Sequence, residues 1–218
     1  MIHSIFQLLK KDIKSEFRQR FTLNGIFLYV ISTVFIAYLI FSGIEEMTTW
    51  VALFWIVLLF ASTNASLNSF RMESGRQFFY YYSIANPQSI ILSKIIFNGL
   101  LLLIIGFFNY FLFSVLLNNP IENQALFLLV ILLGSLGIST TLTLVSAIAS
   151  KTDNNSTLTA ILAFPILLPT LLTAIKASIL CGLGFEWEDV SIYISSLALL
   201  NLVIILLSSV LFPYLWRS

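Results

Sequence analysis

Few residues in this chain are equipped for chemistry. The only histidine is His3 and the only cysteine is Cys181. No serine–histidine–aspartate or cysteine–histidine set can be assembled around His3, which lies at the N-terminus. No His/Cys cluster has metal-ligand spacing. The pattern G-x-x-x-x-G-K-[S/T] is absent, so the chain does not hold ATP through a P-loop. Tyr29, Tyr38, Tyr110 and Cys181 have no supporting pattern and read as structural. A membrane-embedded enzyme is therefore the last reading to adopt, and no catalytic or metal residue is assigned.

One stretch does stand out, as a surface rather than as a catalyst. "GRQFFYYYSIANPQS" places Phe78, Phe79, Tyr80, Tyr81 and Tyr82 in succession, after Arg71, Glu73, Gly75 and Arg76 and before Asn86-Pro87. As a helix, Phe78 to Ala85 would be about 12 Å long, too short to cross roughly 30 Å of hydrocarbon. Proline disfavours helix in the residue before it, so Asn86-Pro87 ends the run. Aromatics and arginine are enriched where proteins meet proteins, and a tyrosine hydroxyl tolerates a half-wet boundary. An ordinary aromatic belt is the plain alternative. The run lies mid-way along the longest polar connection, which favours a docking surface for a cytoplasmic partner.

The elements around this stretch follow from composition. Of 218 residues, 59% are hydrophobic and only 10% are charged, against about 25% charged in a soluble domain. The fold class is an all-α integral membrane protein. Six windows are long and apolar enough to span: Leu23 to Gly43, Trp50 to Phe70, Ile95 to Leu117, Ala125 to Ser150, Thr157 to Leu180 and Ser191 to Tyr214. Alternating segments of ~10 residues, as a β-barrel would need, are missing. No repeat or linker divides the chain, so 1–218 reads as a single membrane domain. Within it, 1–21 forms an N-terminal interfacial helix and 71–94 a cytoplasmic segment between spans two and three. The net charge of +1 gives no reason to expect nucleic acid as a partner.

Lysine and arginine set the orientation. With the N-terminus inside, Lys10, Lys11, Lys14, Arg18, Arg20, Arg71, Arg76, Lys94, Lys151 and Arg217 are cytoplasmic, and only Lys176 lies toward the outside. Both termini are then cytoplasmic. No cleavable signal pattern is read at the start. In "MIHSIFQLLKKDIKSEFRQR", Ile2, Ile5, Phe6, Leu9, Ile13 and Phe17 recur at helical spacing, opposite most of the basic residues. This predicts an amphipathic helix lying in the membrane interface and attracted to anionic lipid. It reads either as an anchor or as an elbow that transmits movement.

Inside the spans the polar residues are neutral. No paired carboxylates or histidines are present for a proton relay. Span four, "GSLGISTTLTLVSAIAS", offers Gly134, Gly137, Ser139, Thr140, Thr141 and Thr143 for close helix contact. Asn98, Asn109 and Asn201 read as interhelical hydrogen-bonding residues. Asn64 and Asn68 share a face at i and i+4 and are the candidates for a polar path or subunit seam. Pro165 and Pro169 also lie four apart, and predict a kink in span five that is either static or flexible.

The order of these parts resembles the CcmB family, the heme exporter protein B of cytochrome c maturation, among the type-2 ABC exporter permeases. The resemblance runs over nearly the whole chain. It is most specific in "SFRMESGRQFFYYYSIANPQSIILSKIIFN", through Glu73, Gly75, Pro87 and the "ILSK" ending at Lys94. "LAFPILLPTLL" adds Pro165 and Pro169. "SIANPQS" departs from the Leu/Pro-rich stretch common in the family. The resemblance implies a permease dimer with two copies of a cytoplasmic ABC ATPase, and a coupling helix within Arg71 to Ser93. It also implies a heme-handling CcmC-type protein, a small single-span subunit and the bacterial inner membrane. No cofactor is expected on this chain: ATP would sit in the partner, and the complex would handle heme. The alternatives are a self-sufficient channel or secondary carrier, in which Asn64 and Asn201 would be critical, and a passive scaffold.

Overall fold

A helix that must cross a bilayer satisfies its own backbone, and only its length and side chains are then free to vary. The computed structural model describes residues 2–18, 20–41, 46–71, 86–149 and 155–217. Among these there are seven helices and no strand: α1 (Ile2–Arg18), α2 (Arg20–Phe41), α3 (Met47–Arg71), α4 (Pro87–Leu116), α5 (Gln124–Ala149), α6 (Asn155–Gly182) and α7 (Trp187–Arg217). The helices α2 to α7 each contain a stretch long and apolar enough to cross a membrane. They coincide with the six expected windows, with one change. The third span starts at Pro87 rather than near Ile95. At 30 residues, α4 is about 45 Å long, more than the hydrocarbon requires.

The bundle is organised around α5, which packs against α3, α4, α6 and α7. Its small residues make this possible. Gly134, Gly137, Ser139, Thr140, Thr141 and Thr143 are all buried, as their spacing predicts. Gly134 has a specific reason to be glycine, because a Cβ there would overlap the Trp55 ring of α3. Among the described side chains of the more peripheral α2, only Ile26, Val30 and Val34, at i, i+4 and i+8, are buried, against α3 and α4. Its opposite face exposes Leu28, Ile31, Phe35, Ile36 and Leu39.

The helices alternate in direction, so the bundle has two ends. One carries α1, the start of α4 and the finish of α5 and α7; we call it the α1 end. At the far end Trp50, Phe54, Phe113 and Phe127 interlock, with ring centroids 5.2–5.9 Å apart. Two indoles are pinned in addition. Trp50 Nε1 donates to the Asn118 carbonyl and Trp55 Nε1 to Ser178 Oγ, both at 2.9 Å. The loops there are stitched together as well: Asn123 N donates to the Cys181 carbonyl at 3.0 Å, and Asn123 Nδ2 to that of Phe185 at 3.3 Å. Gly184, at φ +77°, closes α6 with a left-handed residue that glycine adopts without strain.

Candidate functional site

The aromatic segment singled out in the sequence is bracketed by α3 and α4 at the α1 end. Arg71 is the last residue of α3. Glu73, Gly75, Arg76, Phe78, Phe79, Tyr80, Tyr81 and Tyr82 lie outside the described residues. On the other flank, Asn86 and Pro87 begin a helix as well as ending a run. Asn86 is the N-cap of α4, with φ −67° and ψ 130°, and its side chain accepts from Gln88 N at 3.3 Å. Its carbonyl accepts from Ser89 N at 2.9 Å and Ile90 N at 3.3 Å. Pro87 follows at the first helical position, where a missing N–H costs nothing.

In the first turns of α4, Ser89, Ile90, Ile91, Ser93, Lys94 and Ile95 are buried. Ile90, Ile91 and Ile95 pack against Ala147 of α5 and Phe212 of α7, with Leu8 of α1, Leu92 and Ile205 at the edge. A segment held at Asn86 is therefore backed by four helices. Lys94, expected among the cytoplasmic cations of the connection, sits in this buried stretch of α4. Its charge reaches Glu16 of α1. Burial raises the Glu16 pKa most, the Asp12 charge raises it further, and Lys94 lowers it.

Between α4 and α5 runs a row of small polar groups. Asn98 Nδ2 donates to Thr143 Oγ1 at 2.9 Å, and Thr143 Oγ1 donates to the Ser139 carbonyl at 2.7 Å. The hydroxyls of Ser89, Ser135, Ser139 and Ser146 are buried without a hydrogen-bond partner among the described residues. On the other side of α5, Asn201 Nδ2 donates to the Leu133 carbonyl at 2.9 Å. Asn109 Nδ2 donates to that of Phe54 at 3.1 Å. These amides bind helix to helix, as their sequence positions predict.

Asn64 is placed differently. It is exposed on α3, and its Nδ2 donates to the Phe60 carbonyl of its own helix at 3.1 Å. The Asn68 side chain lies outside the described residues. Pro165 and Pro169 share an exposed face of α6, which continues as one helix through both. Thr173 Oγ1 donates to the Pro169 carbonyl at 2.7 Å, and Thr170, beside Pro169, is buried.

What the sequence did not mark is the far-end ring cluster and the burial of Ser89, Ser93 and Lys94. Asn86-Pro87 was the available signal for the second, since an N-cap residue followed by proline also opens a helix. The ring cluster joins three consecutive helices, α3, α4 and α5, and only Trp50, Phe54 and Trp55 lie close enough together on one of them to hint at it.

A protein-family model described as CcmB protein matches residues 3–215, from α1 to the end of α7. The chain belongs to the CcmB family. No curated protein matches it. Membership implies a membrane subunit of the heme exporter in cytochrome c maturation. CcmB proteins are transport subunits and form part of an ABC transporter complex. The multi-pass helical bundle is the architecture that such a subunit requires.

Proposed function

We propose that this CcmB-family chain is the force-receiving permease of an ATP-driven complex. It exports heme or releases a heme-loaded chaperone, using ATP burned by a separate subunit. The observation that carries this reading is a handle without a motor. Five consecutive aromatics, Phe78 to Tyr82, occupy a connection flanked by charged residues, in a sequence that has no P-loop. Arg71 ends α3 on one side of that connection, and on the other Asn86-Pro87 start α4 next to the Ile90–Ile91–Ile95 cluster. A push on residues 71–94 would pass directly into α4 and, through that cluster, into α1, α5 and α7.

In this reading the Lys/Arg distribution places the α1 end in the cytoplasm of the bacterial inner membrane, with both termini inside. The helix α1 lies in the cytoplasmic interface as an elbow, and residues 71–94 include the coupling helix. Pro165 and Pro169 let α6 bend as the bundle tilts. The exposed apolar face of α2 leaves room for a second copy. A CcmC-type protein and a small single-span subunit complete the assembly. The chain needs no cofactor of its own, because ATP is bound by the ATPase and heme is passed by the complex.

The test is to change Tyr80, Tyr81 and Tyr82 to Ser in the assembled complex. Hot-spot aromatics contribute about 2 kcal/mol or more to an interface, so ATPase capture should weaken by at least roughly 30-fold. Stimulation of ATP hydrolysis should fall with it. Capture and stimulation equal to the unmodified chain would refute the docking role. Transport by the purified chain alone would favour a self-sufficient carrier instead.

A further inference from the structure

Between α1, α2 and α4 lies a groove of about 380 Å³ that no part of the coupling mechanism uses. Its walls are Ile13 of α1, Leu23 and Phe27 of α2, and Phe97, Leu101 and Ile104 of α4, with Glu16 at its α1 side. The wall is otherwise apolar, and it opens outward. Leu100 and Ile104, both lining it, are 48% and 59% exposed. In a membrane, this opening faces acyl chains at the level of the α1 end.

The chemistry next to the groove selects what can enter. Around α1, Lys10 and Lys14 lie within about 100° of Ile13, and both are exposed. Phe6, two turns before Ile13 on the same side, is 66% exposed. From Ile13 the surface of α1 therefore leads to two exposed cations, with an exposed aromatic two turns toward the N-terminus. Lys11, by contrast, is engaged with Asp12 at 3.1 Å and belongs to another face. An apolar slot bordered by two exposed cations is complementary to a molecule with a long hydrocarbon tail and a negative head.

We propose that this groove is a specific site for one anionic phospholipid, with an acyl chain between α1, α2 and α4 and its phosphate against Lys10 and Lys14. Glu16 lies at the α1 side of the groove, where burial raises its pKa and the Lys94 charge opposes that shift. A lipid seated here wedges α1 against the bundle. It would make the position of α1 depend on the composition of the surrounding leaflet.

The experiment uses the full chain, in its complex, reconstituted into bilayers of phosphatidylethanolamine and phosphatidylglycerol. It is then extracted gently and examined by native mass spectrometry. The site predicts one phosphatidylglycerol retained per chain. Ile104→Trp, on the exposed wall, and Leu101→Trp, deeper in, should each abolish retention. The first keeps the test valid if the second fails to fold. The double variant Lys10→Gln/Lys14→Gln should still retain lipid but lose its preference for phosphatidylglycerol by roughly 30-fold, taking about 1 kcal/mol per headgroup contact. Retention unchanged by either tryptophan, or a preference unchanged by the glutamines, overturns the proposal. So does a groove that retains no phospholipid and instead cross-links to a second copy through Leu100→Cys. None of these readouts depends on ATPase docking, so this site can fail while the proposed function stands, and the reverse.

Discussion

At the far end, Trp50, Phe54, Phe113 and Phe127 meet ring against ring, and the indoles and loops there are tied by directed hydrogen bonds. At the α1 end, Ile90, Ile91, Ile95, Ala147 and Phe212 meet mainly through aliphatic carbon. Aromatic pairs prefer particular edge-to-face or offset geometries, each worth about 0.5–1.5 kcal/mol beyond the area they bury. Aliphatic contact has no comparable directional preference. A helix pushed at the α1 end can therefore shift by a fraction of a turn at modest cost, whereas the same shift at the far end must break rings out of register. In the proposed coupling, this contrast makes the far end the fulcrum and the α1 end the place where force would enter.

The strongest way to break this comparison is Trp55→Ala. It removes a buried ring and the donor to Ser178, and should cost about 3–5 kcal/mol. Ile91→Val at the other end should cost only about 1 kcal/mol. Thermal unfolding of both variants in the same detergent measures the difference. Equal destabilisation would remove the distinction between fulcrum and moving end.

A smaller effect tests how force enters α4. Asn86→Ala deletes the N-cap and should weaken the first turn by about 1 kcal/mol. Amide exchange should then rise at Ser89 to Ile91 and stay unchanged at Phe113, and ATPase stimulation should drop while ATPase binding persists. Exchange unchanged at Ser89 to Ile91 would show that the cap does not secure the helix start.

The gentlest test concerns α1. The folded pKa of Glu16 is raised above its ordinary value of 4.5. The native state therefore holds the proton more tightly than the unfolded chain does. The contribution of this group to α1 docking is fully present below 4.5 and is lost as pH rises through the raised value. Asp12 and Lys94 act on it in opposite directions. Glu16→Gln should remove the dependence. Protection of α1 amides in the unmodified chain should match the Gln variant in acid and fall below it near neutrality. A constant ratio at all pH values, or better protection than Gln near neutrality, would mean that pairing with Lys94 outweighs burial.

Much of the architecture was legible because bilayer thickness dictates it. Six apolar runs had to become six helices, and the small residues of span four had to sit where helices crowd, as Gly134 against Trp55 does. The start of α4 was harder to read. Ser89, Ser93 and Lys94 make that stretch too polar for a span, yet all three residues are buried. Asn86-Pro87 reads as a stop for the aromatic run and, from the same stereochemistry, as a start for α4. The ring cluster was illegible for another reason: it depends on the register between α3, α4 and α5, which no single segment encodes. Two asparagines at i and i+4 share a face, but the pattern does not say whether that face lines a path within the bundle or a seam between copies; Asn64 lies exposed on α3.

The central claim is tested most directly by spin-label distances in the assembled complex, with one permease copy labelled. One pair, Gln88→Cys with Tyr214→Cys, reports on the α1 end, and the other, Thr48→Cys with Leu183→Cys, on the far end; all four residues are exposed. With ATP bound to the partner, the first distance should change by several ångströms and the second should not. A far-end change as large as that at the α1 end, or no response to ATP at either, would contradict the account.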